Sequence, residues 1–365
     1  MINIQALLKA MIDKNCSDLH IRCGVVPIMR INGDLFKVGS EPLTVENMDA
    51  MLRTLLKPEQ YDKYQRDGEI DFATALHGVG RFRINAYRQR GTPSMAIRSI
   101  KFEIPNFTEL ALPSVILDIA MKKRGLVLVT GTTGSGKSTL LASMIDHINS
   151  STSVNIITIE DPIEFLHRDK KSIIAQREIG SDAPSFNAAL RASFRQDPDI
   201  ILIGEMRDCE TIETAMSAAD TGHLVMSTLH TMNTTETLTR IISFFPPHQH
   251  EQIRLVLSNV LVAIVSLRLL PRSNGQGRIP AAEILINNAA IAEYILNQEK
   301  SHMILPAISE GYTQYGSQSF DQSLLQLYQD EFITLDTAKQ NASNPDDFEL
   351  KVRGVSGTSD RRWMV

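Results

Sequence analysis

The sequence is poor in cysteine, with three in 365 residues: Cys16, Cys23 and Cys209. They form no CxxC pair and no even set, which excludes a disulfide scaffold and implies free thiols in a reducing compartment. Long apolar runs are also missing. No window approaches the ~18 apolar residues of a membrane helix. The most apolar stretch, residues 255–270, is broken by Ser258, Asn259, Ser266 and Arg268. No basic segment followed by an apolar core opens the chain, so no secretory signal is expected. Positive charge is not in excess: 37 Lys and Arg face 42 Asp and Glu, for a net charge of -5. A chain living on nucleic acid or an acidic membrane usually carries the opposite sign. The expectation is a soluble cytoplasmic protein. Its composition, 43% hydrophobic and 22% charged, is that of globular domains, and its length suits two domains or one large one.

The charge is unevenly spread. Residues 1–100 hold 14 Lys and Arg against 11 Asp and Glu, whereas the remainder is acidic. Residues 101–113, with Pro105 and Pro113 and no periodicity, read as a linker and hinge between domain 1–100 and domain 114–365. The first domain reads as a small α+β unit. Residues 2–13 and 45–56 have helical spacing, the latter behind a Thr44 cap. Residues 18–22 alternate as a strand, 28–31 and 35–38 flank Asn32-Gly33 as a hairpin, and 81–89 and 95–100 read as neighbouring antiparallel strands.

From residue 114 strands and helices alternate. Residues 126–130, 154–159, 200–203 and 224–229 are short continuous apolar runs, as expected of strands covered on both faces. Helical segments lie between them at 138–149, 186–194 and 210–219. This βαβ series predicts a mostly parallel sheet, so the fold class is α/β. Beyond His230 the pattern turns helical at 234–244, 248–265, 289–296 and 320–329. Residues 354–365 are polar and Gly/Ser-rich and read as a frayed tail.

Residues 131–138, Gly131-Thr132-Thr133-Gly134-Ser135-Gly136-Lys137-Ser138, fit GxxxxGK[ST] at every fixed position, directly after a strand and before a helix. Glycines let backbone N–H groups close around a phosphate, and the helix start adds free donors and the positive end of its dipole. Lys137 is assigned to the β- and γ-phosphates and Ser138 to Mg²⁺, and Thr139 is counted with the nucleotide-binding residues. The other strand ends are read for the same reason: ligands of open α/β sheets sit beyond the carboxyl ends of the strands. One strand ends in Glu160-Asp161-Pro162-Ile163-Glu164, one in Gly204-Glu205-Met206-Arg207-Asp208, and one lies between His223 and His230. Carboxylates crowded beside a phosphate site repel it unless they hold a metal ion or a water.

Arg191 and Arg195 stand at i and i+4, on one face of a helix. Arg81 and Arg83 share one face of a strand, with Arg98 on the next. The basic-aromatic run 81–88 also suits single-stranded nucleic acid, against which the net charge argues. His248 and His250 lack further ligands at metal spacing and read as a solvated cap.

These residues carry a resemblance covering nearly the whole chain. Thr158-Ile-Glu-Asp-Pro-Ile-Glu-Phe165 resembles the Asp box of secretion-type ATPases. Residues 190–208 resemble their atypical Walker B segment, and Thr221-Gly-His-Leu-Val-Met-Ser-Thr-Leu-His-Thr231 their His box. With the phosphate loop, the set is similar to the type IV pilus twitching-motility retraction ATPases. Ser17-Asp-Leu-His20 and Phe320-Asp-Gln-Ser-Leu-Leu325 also match that subgroup. The resemblance implies a PAS-like N-terminal domain, a RecA-like C-terminal domain with a helical end, and a homohexameric ring. It also implies ATP hydrolysis with Mg²⁺, driving pilus disassembly on the inner-membrane pilus platform protein at the pilus base.

Assembly motors of the family carry a long extra N-terminal domain and a two-CxxC zinc insertion, and neither is read here. Retraction motors carry Ala-Ile-Arg-Asn-Leu-Ile-Arg-Glu near the C-terminus. Here the stretch is Ala290-Ile-Ala-Glu-Tyr-Ile-Leu-Asn297, with Ala292 and Leu296 at the arginine positions. A divergent paralogue that works with a second retraction motor therefore stays open. An extension motor and a RecA-like nucleic-acid translocase also remain as alternatives, although no nucleic-acid partner is expected. By the resemblance, Glu205 helps hold Mg²⁺ or the attacking water and Glu164 is the general base, with Glu160, nearer the strand end, as the alternative. Arg83 and Arg98 become arginine fingers toward a neighbour's γ-phosphate, and His230 becomes its sensor.

Overall fold

The computed structural model describes residues 3–31, 33–76, 78–100 and 104–354. It divides into two compact units, Met1–Glu103 with Pro162–Leu166, and Ile104–Asp161 with His167–Val365. Asn32 of the expected hairpin turn, residues 101–103 of the expected linker and residues 355–365 of the expected tail lie outside the described residues.

The first unit is an antiparallel sheet of six strands. They are β1 (Asp18–Arg22), β2 (Ile28–Ile31), β3 (Asp34–Lys37), β4 (Glu69–Leu76), β5 (Gly80–Gln89) and β6 (Thr92–Ile100), in the order β3-β2-β1-β6-β5-β4. Helix α1 (Ile4–Asp13) buries Ile4, Leu7, Leu8 and Met11, the stripe its spacing predicts. Thr44 and Asn47 form a reciprocal capping box at the start of α2 (Val45–Leu55). Helix α3 (Pro58–Asp67), with Tyr64 its buried residue, and β4, with Ile70 and Phe72 buried, lie outside the expected elements. Along β5 the even residues Phe82, Ile84 and Ala86 enter the core while Arg83 faces out. The register sets Arg30 against Asp18, Asp18 against Arg98, and Arg98 against Arg83, so one carboxylate and three arginines form a row across four strands.

The second unit is a seven-stranded sheet. Its strands are β7 (Gly125–Thr130), β8 (Asn155–Glu160), β9 (Ile173–Glu178), β10 (Ile200–Ile203), β11 (Leu224–Leu229), β12 (Leu261–Pro271) and β13 (Arg278–Ile286), ordered β13-β12-β7-β11-β10-β8-β9. All neighbours are parallel except β12 and β13. Alternate residues of the central strands feed two cores, Leu126 and Leu128 into one and Val127 and Val129 into the other. Such burial on both faces explains the unbroken apolar runs. Helices α4 (Val115–Ala120), α5 (Lys137–Ser151), α6 (Phe186–Ser193), α7 (Cys209–Asp220), α8 (Thr234–Ser243), α9 (His250–Val260) and α10 (Ala289–Leu296) accompany the sheet. Further helices follow, among them Phe320–Gln329. No helix of the described residues is long and apolar enough to cross a membrane.

Two expectations are corrected. The helix expected over 248–265 stops at Val260, and the chain continues as β12, which pairs with β7 and β13. A buried strand and a buried helix share an unbroken apolar run, and periodicity alone does not separate them. Arg191 and Arg195 do not share a helix face, because α6 ends at Ser193 and the chain turns through Asp197 at φ +53. Residues 104–113 contain a 3₁₀ turn, Phe107–Leu110, whose Phe107 is buried in the same core as Leu140 and Met144 of α5. The Ser143 hydroxyl on that helix donates to the Pro105 carbonyl at 3.1 Å.

Candidate nucleotide site

Strand β7 delivers the chain at Thr130 into a loop that turns through left-handed glycines, φ +142 at Gly131, +79 at Gly134 and +99 at Gly136. At Gly131 a Cβ would lie 2.5 Å from the Leu267 carbonyl oxygen and 2.5 Å from Ser135 Oγ, so only glycine fits. Helix α5 then begins at Lys137 with no side-chain cap, which leaves its first N–H groups for an anion. Lys137 is buried, and its ammonium donates to the carbonyls of Gly131 at 2.8 Å and Thr132 at 2.9 Å. The Ser135 hydroxyl is buried without a hydrogen-bond partner among the described residues. Thr132, Thr133 and Gly134 are exposed, while Ser138 and Thr139 sit half-buried in the first helical turn. A sterically required loop, an uncapped helix start and an orphaned hydroxyl together fit a bound phosphate chain. Beside this loop lies a cavity of about 210 Å³, lined by Leu110, Leu112, Leu140, Leu267, Arg272 and Arg278 among others. Its apolar walls and two guanidinium groups suit a nucleoside. Arg272 and Arg278 flank the β12–β13 turn and belong to no motif, so only the hairpin brings them beside the loop.

The neighbouring strand ends are drawn together by short bonds. The Gly204 N–H donates to the Ile159 carbonyl at 2.7 Å, and the Thr228 hydroxyl donates to the Gly204 carbonyl at 2.7 Å. In sheet order the carboxyl ends of β7, β11, β10 and β8 lead into Gly131, His230, Glu205 and Glu160. Glu205 is nearly covered, its side chain 12% exposed. One of its oxygens meets the Arg207 guanidinium at 2.5 Å, and the other lies 3.4 Å from His230 Nε2. Arg207, given no role from sequence, thus belongs to this cluster. Glu160 accepts from the Thr158 hydroxyl at 2.6 Å and from the Gln176 amide at 3.2 Å. A hydroxyl and a carboxylate, Ser138 and Glu205, are the hard oxygen donors that Mg²⁺ takes alongside phosphate. His223 precedes β11, at the opposite end of the strand from His230, with its Nδ1 3.0 Å from the Ala218 carbonyl.

Glu164 is exposed, on the stretch Pro162–Leu166 that groups with the first unit. Arg83 and Arg98 are exposed on that unit's sheet, directly opposite one another. Arg98 donates to Asp18 at 2.9 Å, and the Ser17 hydroxyl donates to the other Asp18 oxygen at 2.9 Å. Burial pushes the Asp18 carboxyl up, but the Ser17 bond and Arg98 outweigh it and hold it below the usual value. Of the two rings on β5 that could stack on bases, Phe82 is fully buried and Tyr87 is half-buried. His248 is exposed and His250 sits against the Phe245 carbonyl at 2.9 Å.

The model of the type II/IV secretion system protein family matches residues 2–314. The chain belongs to that family. The type IV pilus ATPase PilU of Pseudomonas aeruginosa is 40% identical over 96% of this chain and 92% of its own length. The type IV pilus retraction ATPase PilT of the same organism is 38% identical over 95% of this chain and 100% of its own. Among solved structures of this secretion family, the pilus retraction motor PilT with bound ADP superposes with a TM-score of 0.88 at 44% identity, covering 96% of this chain and 99% of that one. This secretion-family member therefore shares the retraction motor's mixed α/β fold, including the helical C-terminal part.

Proposed function

We propose that this chain is a Mg²⁺-dependent ATPase motor that retracts type IV pili, working as a homohexamer against an inner-membrane platform protein at the pilus base. The observation that carries the reading is the row of strand ends, with an uncapped phosphate loop followed by His230, Glu205 and Glu160. The loop N–H groups and Lys137 bind the phosphates, and the slot at Leu112, Arg272 and Arg278 receives the nucleoside. Ser138 and Glu205 would hold a magnesium ion, which neutralises phosphate charge when bound. A carboxylate of the Asp box, Glu164 or Glu160, takes the proton of the attacking water. Arg83 and Arg98, on a unit without a phosphate loop, serve a neighbouring subunit's site. His230 registers the γ-phosphate beside Glu205.

The test pairs ATP turnover of the purified protein with twitching of a strain lacking it. Wild type should hydrolyse ATP and restore movement, and Lys137→Ala should do neither. Turnover by Lys137→Ala near the wild-type rate would remove the phosphate-loop assignment. A dependent paralogue is the second reading, favoured by α10, where Ala292 and an exposed Leu296 occupy the positions of arginines in retraction motors. Under that reading the protein supports retraction only in cells that also hold a second retraction motor.

A further inference from the structure

Behind the strand ends lies a set of buried polar side chains that the scheme above leaves unused. Glu283 on β13 is 4% exposed. One of its oxygens accepts both the backbone N–H of Thr234, at 2.8 Å, and the Thr234 hydroxyl, at 2.7 Å. Thr234 opens α8, four residues after His230. Across the sheet Glu283 is paired with Ser266 on β12, and Ser266 with Thr130 on β7, the residue before the phosphate loop. Thr130 and Ser266 share a hydroxyl contact of 2.7 Å. Thr237 of α8 lies 3.5 Å from Thr130 and 2.7 Å from Thr231, which follows His230. All six side chains are buried.

Burying a carboxylate this deeply is unfavourable unless its bonds are well made, and an apolar residue of similar volume would serve stability as well. A hydrogen-bonded buried polar cluster, by contrast, favours one arrangement of the backbone around it. Here that backbone is the segment between His230 and α8. Burial pushes the Glu283 carboxyl up, while the Thr234 bonds and Arg268 draw it back and Asp321 adds to the rise. Arg268 in turn stacks on Phe320 at 3.8 Å and donates to the Asn341 carbonyl at 2.8 Å. Arg268 thereby joins β12 to the Phe320 motif of the C-terminal helices.

We infer that Glu283 is a positioning residue for ATP hydrolysis: through Thr234 it fixes the start of α8 and so holds His230 against Glu205. The inference rests on the ATPase reading above and on His230 acting in turnover. The test is a double-mutant cycle on ATP turnover with wild type, Glu283→Leu, His230→Ala and the pair, with circular dichroism confirming each fold. Glu283→Leu keeps volume and removes the acceptor. Misplacing a reacting group by a fraction of an ångström is costly, so kcat should fall roughly tenfold while KM for ATP stays within about twofold. Glu283→Gln, whose amide oxygen still accepts both bonds, should recover most of that loss. In the His230→Ala background Glu283→Leu should cost nothing further. An equal loss in both backgrounds would make Glu283 a structural residue and overturn the inference. So would a wild-type kcat for Glu283→Leu beside a slow His230→Ala, with the ATPase reading intact. Wild-type turnover by His230→Ala would remove the role of His230 and this inference with it. If Glu283→Leu does not fold, Thr234→Val enters the same cycle, with a smaller loss in kcat and the same non-additivity expected.

Discussion

His230 Nε2 lies 3.4 Å from Glu205 Oε2, although the two residues leave different strands and stand 25 positions apart in the chain. The parallel register of β10 and β11 sets Ile203 beside Ser227 and so carries both chain ends to the same edge of the sheet. Glu205 also meets Arg207, so its carboxylate is flanked by two nitrogen groups. Glu205→Gln keeps the shape and removes the charge proposed to hold water or metal. Turnover should fall by about 10² or more, with nucleotide still bound. ATPase rates beside a fluorescent-nucleotide titration check both halves.

The two Asp-box glutamates differ in commitment. Glu160 already accepts from Thr158 and Gln176, whereas Glu164 is exposed. Losing a general base costs about 10²–10⁴ in rate. Glu164→Gln should show that loss in kcat, and Glu160→Gln a smaller one. Normal hydrolysis by both would move the base elsewhere, with Glu205 the next carboxylate to test.

Arginine fingers act in trans. Arg83→Ala should bind ATP yet turn over slowly, since such arginines contribute about 10³–10⁵ in kcat. Lys137→Ala has a dead loop but an intact Arg83. Mixed rings of the two should regain partial activity at interfaces pairing an intact loop with an intact finger. Co-purified rings of differently tagged subunits that stay inactive would sink the trans model.

His167 follows the Asp box with a half-buried ring, and its Nδ1 has no hydrogen-bond partner among the described residues. Burial lowers its pKa from 6.5 to about 4, with Asp146 raising it and Lys170 lowering it further. Between those values the unfolded chain binds a proton that the folded chain refuses. Stability is therefore full above pH 6.5 and declines below it, by at most about 1.4 kcal/mol per pH unit until both forms are protonated near pH 4. Urea unfolding at pH 7 and pH 5 should show a larger drop for wild type than for His167→Gln. Equal drops would mean that the ring is protonated in the fold.

Much of the site was legible in one dimension, because its parts are local. A phosphate loop needs glycine where φ is positive and a lysine at the helix start, all within eight residues. Strands buried on both faces announce themselves as apolar runs, and β1, β2, β10 and β11 carry the bounds that their patterns predict. The elements that went unread have no such signature. Strands β9 and β4 lie at sheet edges, and β4 alternates strictly only over residues 69–72, while β12 is as apolar as a buried helix, so its pairing with β7 and β13 had to come from the sheet itself.

The residue types and spacing by themselves determined the phosphate-binding chemistry, the α/β class and the set of acids at the strand ends. Which of those groups meet was decided only by tertiary structure. Contacts such as His230 with Glu205, Arg98 with Asp18, Glu283 with Thr234, and Arg272 and Arg278 beside the loop join residues on separate elements. Their distances are set by strand order and register, which depend on the packing of the whole sheet rather than on any local run of sequence.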